Sequence, residues 1–174
     1  AGTAFRGGVP MIGENIGEVV NWVAGLGILA DYARLRCVGC SAGVYPAMRT
    51  GRRIGAELTV GLIGRFPSER HLAALVKMHV GSWLSHMRRR GARVLLVHST
   101  AVSRDVTFSK RLRWLTGASY LGIESPGRPS EHNVMPPLLA NAELGHFLKR
   151  TLFAPIDSAL FARQRSIGHL RYPL

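Results

Sequence analysis

Residues 66–100 read FPSERHLAALVKMHVGSWLSHMRRRGARVLLVHST, and their pattern decides the fold. Leu72, Leu75, Val76, Val80, Trp83, Leu84 and Met87 recur at three- and four-residue steps, which places them on one helical face. Pro67 and Ser68 suit the first turn, where a missing N–H costs nothing and a hydroxyl caps free donors. Gly91 tolerates the backbone that ends a helix, and Arg88, Arg89 and Arg90 stand against the negative end of the dipole. VLLV then follows, a short apolar run that suits a strand buried on both faces. Val60-Gly61-Leu62-Ile63 is a matching strand upstream. Strand, long helix and strand make a right-handed crossover, so the expected core is a parallel sheet covered by helices.

Bulk composition fits one such core. The chain has 174 residues and is 47% hydrophobic, enough for a single domain without a second. Lys and Arg number 23 against 10 acids, a formal charge of +13, and the sequence pI is near 11.3. Most of the cations are arginines, whose planar fork suits phosphate better than an ammonium does. Charge of this size self-repels unless a polyanion neutralises it, and nucleic acid is the first candidate. A solvated basic surface is the plainer alternative. An anionic membrane surface fits less well, because no amphipathic segment carries a continuous Lys/Arg face. No apolar run reaches the roughly 18–20 residues of a spanning helix, since Asp31 and frequent glycines interrupt the N-terminal candidate. The first residue is Ala1, so the chain reads as processed or truncated, with any targeting peptide outside it.

Taken in order, residues 1–17 are glycine-rich and read as an irregular arm. Val19, Val20, Trp22, Val23, Leu26, Ile28, Leu29 and Tyr32 suggest a helix weakened by Gly25 and Gly27. Leu35 to Val38 fits a short strand or the end of that helix. GCSAGVYPAMRTGRRIGAEL then reads as an exposed basic loop or a short helix. Ser103 or Asp105 is placed to cap a short helix through Leu112. Residues 122–137 hold four prolines and read as a loop. Leu138 to Leu152 fits an amphipathic helix, Ala154 to Ser158 a short strand, and the end RQRSIGHLRYPL is basic. Residues 1–34 thus form an arm and helix, and 35–174 a single α/β domain.

Two motifs invite chemistry. Cys37 and Cys40 make one C-x-x-C, half of a zinc site or a redox pair, with no second cysteine pair to complete four thiolates. Two small residues beside a strand is the simpler account, and no metal is expected. Gly39-Cys40-Ser41-Ala42-Gly43 matches G-x-S-x-G, the elbow in which a strained strand–turn–helix exposes a serine nucleophile. It resembles the GTSAG elbow of patatin-like lipid hydrolases, with glycine-rich Arg6-Gly7-Gly8 as the candidate oxyanion loop. Catalysis there needs a partner acid, or a His–acid pair, and oxyanion donors. The Asp-Gly motif of patatins is absent, since Asp157 precedes Ser158 and Ala159. A tight turn of small residues explains GCSAG without chemistry.

A second resemblance spans residues 35–174. In order, the segments resemble the mitochondrial and bacterial small-subunit ribosomal protein two family. GCSAG stands where that family has G-x-H-x-G, with Ser41 in place of the histidine. Tyr45-Pro46-Ala47-Met48 is similar to its N-P-x-M. Leu62-Ile63-Gly64-Arg65, Ser68 and Leu72 resemble its first strand, I-I-D-L with its following Thr and Leu. Ser85-His86-Met87 through Gly91 to Val97-His98-Ser99-Thr100 resembles its long helix and buried strand. Arg113-Trp114-Leu115-Thr116-Gly117-Ala118-Ser119 is similar to R-W-L-G-G-T-L-T-N. Pro136-Pro137-Leu138-Leu139 resembles P-D-L-L, which would make Leu138 the start of a strand and shorten the helix after it. Pro155-Ile156-Asp157-Ser158 resembles I-V-D-S/T, and Tyr172-Pro173-Leu174 the closing Y-P-I-P. The connection from Val97 to Arg113 is shorter than the family's, the first-strand aspartate is Gly64, and the family's last helix has no counterpart. The helical hairpin that bacterial members insert after R-W-L is also missing, a loss common in mitochondrial members.

The resemblance implies a three-layer α/β fold of flavodoxin or Rossmann type lacking the hairpin. It implies a structural constituent of the mitochondrial small ribosomal subunit, in the matrix near the head–body junction. Such a protein binds rRNA and neighbouring ribosomal proteins during translation, and has no catalytic residue, cofactor or small-molecule substrate. On the residues themselves, arginine clusters neutralise phosphates while the α/β core fixes their direction. The candidates are Arg49, Arg52 and Arg53; Arg88, Arg89 and Arg90; Lys110, Arg111 and Arg113; and Arg163 and Arg165. Trp114 is assigned to the core rather than to base stacking. Two other functions stay open: a Ser41 hydrolase, and a basic accessory subunit of another organellar complex.

Overall fold

The computed structural model describes residues 9–62, 93–116, 118–123, 139, 142 and 144–153. The expected central helix of 66–91, the proline-rich stretch from 124, and everything after Phe153 lie outside the described residues. Arg88, Arg89, Arg90, Arg163, Arg165 and the expected strand at 154–158 fall there too.

Four strands form one sheet, β1 (Arg36–Cys40), β2 (Leu58–Leu62), β3 (Arg93–Ser99) and β4 (Ser119–Ile123). They lie in sequence order, and every neighbouring pair is parallel. The register sets Gly39 beside Gly61 and Gly61 beside Leu96. Between β1 and β2 runs α2 (Val44–Arg53), and between β3 and β4 runs α3 (Ser103–Thr116). Upstream is α1 (Ile16–Ala24), and after β4 comes α4 (Leu144–Leu148), which passes into a π-turn at Lys149–Phe153.

Alternation along the strands separates two cores. Leu58, Val60, Leu62, Leu95, Val97, Leu121 and Ile123 share one face with Phe147 of α4. Leu96, Ala118 and half-buried Val94 and Tyr120 share the other with Val44 and Met48 of α2. Arg113 of α3 stacks on Tyr120, which puts α3 on the α2 side. Two crossovers that step the same way across the sheet and leave their helices on the same face have the same hand, as the right-handed rule requires. Helices on both faces make three layers, the expected α/β architecture.

The basic loop-or-helix segment resolves as a helix. Its Pro46 occupies the first turn, where no backbone donor is lost. Val44, Ala47, Met48 and Gly51 are buried against the sheet while the arginines turn away. Gly39 and Gly61 let α2 lie this close. A Cβ on Gly39 would be 2.6 Å from the Gly43 carbonyl carbon and 2.8 Å from the Ala47 Cβ, and one on Gly61 would be 2.8 Å from Val44.

Other expectations need correction. The N-terminal helix stops at Ala24, because Gly25 caps it, and Gly27–Asp31 tightens into a 3₁₀ turn. Its start is firm: Asn15 Oδ1 accepts from the Gly17 and Glu18 N–H groups, and the Glu18 carboxylate reaches back to Glu14 N–H at 2.7 Å. Neither Ser103 nor Asp105 is the cap of α3. Both are inside it, and Val102 offers its carbonyl to the Asp105 and Val106 N–H groups. The helix also runs on past Leu112. Gly122 and Ile123 belong to β4 rather than to a loop, both buried in the sheet. The last helix is shorter than Leu138 to Leu152, because Ala142 takes a positive φ of 59° ahead of it.

Candidate nucleic-acid interface

In a parallel sheet each helix runs back antiparallel to its strands, so helix C-termini gather at the edge where strands begin. That edge is basic here. Arg52 and Arg53 close α2, Arg111 and Arg113 lie in the last turns of α3, and Arg93 opens β3. Arginines in a last turn also complement the helix dipole, which makes these positions compatible with folding. Arg93, Arg53, Lys110 and Arg111 are exposed, while Arg49, Arg52 and Arg113 are half-buried.

Their partners differ in charge. Arg36, the first residue of β1, is neutralised: Nη2 is 2.6 Å from Glu57 Oε1, and Nη1 donates to the Thr151 carbonyl at 3.4 Å. Arg53 Nε instead donates to the neutral Asn21 Oδ1 at 3.3 Å. Arg49 lies 5.8 Å above the Tyr45 ring and beside Gly17. Arg113 lies 5.3 Å above the Tyr120 ring, and that ring lies 5.7 Å from His98 between centroids. For Arg49 and Arg53, neutral and aromatic partners hold the guanidinium in place without cancelling its charge.

The structure therefore brings Arg52, Arg53, Arg111 and Arg113 to one edge, with Arg49 a turn further along α2 and Lys110 on the open side of α3. The side chain of Trp114 lies outside the described residues. Arg93 was missed in the sequence, although its closeness to the Arg88–Arg90 run in RRRGAR is a visible signal.

The opposite edge carries the other motif. Ser41 follows β1 directly, has φ of 51°, and begins the short 3₁₀ turn into α2. Positive φ at a residue other than glycine is strained, and GCSAG thus adopts a strand–turn–helix elbow. Near that edge Asp105 and Ser109 are buried at one helical turn from each other, and neither Asp105 Oδ2 nor Ser109 Oγ has a hydrogen-bond partner among the described residues. The two thiols part company: Cys37 lies under Gly51 of α2, and Cys40, three residues on in the strand, is exposed on the opposite face. They cannot bind one ion together. Burial raises the Cys37 thiol pKa, keeping it protonated. No group of three or more potential metal ligands occurs among the described residues, and no described helix is long and apolar enough to cross a membrane.

The chain matches no protein-family model, no curated protein and no solved structure.

Proposed function

We propose that this protein is a structural RNA-binding constituent of a small ribosomal subunit of mitochondrial type. The observation that carries it is the convergence of arginines from α2, α3 and the start of β3 on one edge of the sheet, in a chain of charge +13. Folding alone gives little reason for this, since a dipole contact at a helix end contributes only about 0.3–1 kcal/mol. Phosphate contacts supply a stronger reason, each displacing condensed counterions. The ordered resemblance over residues 35–174 narrows the RNA to rRNA and adds ribosomal proteins as neighbours. Arg88, Arg89, Arg90, Arg163 and Arg165 join the proposed contact set on sequence alone.

Co-sedimentation tests the proposal. Tagged protein in organellar lysate should travel with the small subunit in high-magnesium gradients and leave it when the RNA is digested. Migration with a membrane complex would overturn the proposal in favour of the accessory-subunit role.

One observation favours a serine hydrolase instead, namely the positive φ of Ser41 between β1 and α2. Stoichiometric labelling by a fluorophosphonate probe, lost in Ser41→Ala, would establish that function. An unlabelled protein leaves Ser41 as a turn residue.

A further inference from the structure

Helices α1 and α2 lie side by side, with Gly17 beside Arg49 and Asn21 bonded to Arg53. Positions 17 and 21, like 49 and 53, are one turn apart, so the two arginines line the seam at about 5–6 Å spacing. Among the described residues their partners are the Tyr45 ring and the Asn21 amide, neither of which carries charge. Next to Asn21 in the sequence, Trp22 is 47% exposed. A half-exposed indole offers an apolar ring face to a ligand while its N–H stays within reach of water. Acid is present nearby as Glu18, one turn before Trp22. Its carboxylate is committed to the Glu14 N–H and to Asn15 Nδ2 at 2.7 and 2.6 Å, which fixes it at the start of the helix.

We propose that the α1–α2 seam binds an unpaired segment of RNA, with Trp22 stacking on a base and Arg49 and Arg53 holding the adjacent phosphates. This rests on the RNA-binding function above and adds the form of the RNA. Duplex RNA has its bases stacked and its phosphates on the outside, so it can use the arginines but not the indole. A single strand uses both, because every base presents a π-face and the flexible backbone brings its phosphates to the cations. A neighbouring protein would use the apolar surface but has no need of two guanidiniums beside it that have no acidic partner among the described residues.

The test compares the full chain with Trp22→Ala and Trp22→Phe on a fluorescent oligouridylate single strand and on an RNA duplex of equal length. Wild type should bind both. Trp22→Ala should weaken the single strand about five- to hundredfold, the range for loss of one stacked base, and change duplex affinity less than about twofold. Trp22→Phe should restore most of the single-strand affinity, and its thermal melt reports that the fold is intact. Unchanged single-strand affinity in Trp22→Ala, or equal losses on both RNAs, would overturn the proposal while leaving RNA binding itself in place. Failure of wild type to bind either RNA would instead overturn the RNA-binding function, and this proposal with it. Loss of Trp22→Ala from the small subunit with RNA affinity unchanged would reassign the indole to a protein neighbour.

Discussion

Asp105 is buried in the first turn of α3, where its Oδ2 has no hydrogen-bond partner among the described residues. Desolvation by burial raises its pKa from 3.8 to about 6, against the opposing pull of the Arg104 guanidinium. The unfolded chain therefore releases this proton first as pH rises. Between about pH 4 and pH 6 the folded state holds more protons, so stability falls through that window and the loss is complete above it. Asp105→Asn removes the titration while keeping the shape. Its stability relative to wild type, from urea melts, should rise from pH 4 to pH 7 and exceed about 1 kcal/mol at pH 8. A difference that stays constant with pH would mean that the carboxylate is solvated. The sequence shows Asp105 only as an acid near a helix start, which suits the dipole and suggests a cap. Its burial depends on how α3 lies on β3, a tertiary fact with no local signature. Ser41 shows the reverse: GCSAG reads locally as a tight turn of small residues, and the backbone turns there at φ 51° from β1 toward α2.

Elements were legible where one period dominated. The apolar run VLLV lies inside β3 (Arg93–Ser99), and of the strand expected at Val60–Ile63, Val60 to Leu62 lie in β2, which starts two residues earlier at Leu58. SYLGI was missed as a strand because Gly122 and the prolines after it pull the same residues toward a loop. Burial between strand and helix overrides those preferences. In α1 the apolar period continues to Tyr32, yet Gly25 ends the helix and leaves Ile28 and Tyr32 exposed. The α4 segment tests how much an element owes to packing. Five residues cannot hold a helix in water, so its order must come from the core. Phe147 is 1% exposed among Leu58, Leu95, Leu121 and their neighbours, and its carbonyl accepts from Thr151 Oγ1 at 2.7 Å. Phe147→Ala should cost about 3–5 kcal/mol in denaturant melts. Hydrogen exchange should quicken first at 144–153, then at β1 beneath it, where Arg36 binds the Thr151 carbonyl. A loss below about 1 kcal/mol would show that α4 rests on the sheet without anchoring to it.

For the whole molecule, the parallel sheet could be anticipated because crossover length and strand composition leave few topologies. Which edge gathers charge could not, since arginines at 52, 53, 93, 111 and 113 are scattered in sequence and meet only once the strand order is known. That arrangement has a consequence in salt. Guanidiniums concentrated on one edge of a chain of charge +13 repel one another in the free protein. Raising salt from about 0.1 to 1 M shortens the Debye length from ~10 to ~3 Å and screens that repulsion. The melting temperature of the free chain should therefore rise with sodium chloride. Bound RNA should reverse the trend. Ligand that binds only the folded state raises the melting temperature in proportion to the logarithm of its affinity. That affinity falls with salt by roughly 0.7–0.9 logarithmic units per phosphate contact for each decade. Melting curves of the chain with and without an rRNA fragment should thus converge as salt increases, one descending and the other ascending. A free chain that loses stability with salt would indicate that its cations are already paired internally, as Arg36 is with Glu57. The basic edge would then be a product of folding and no longer a surface held in readiness for phosphate.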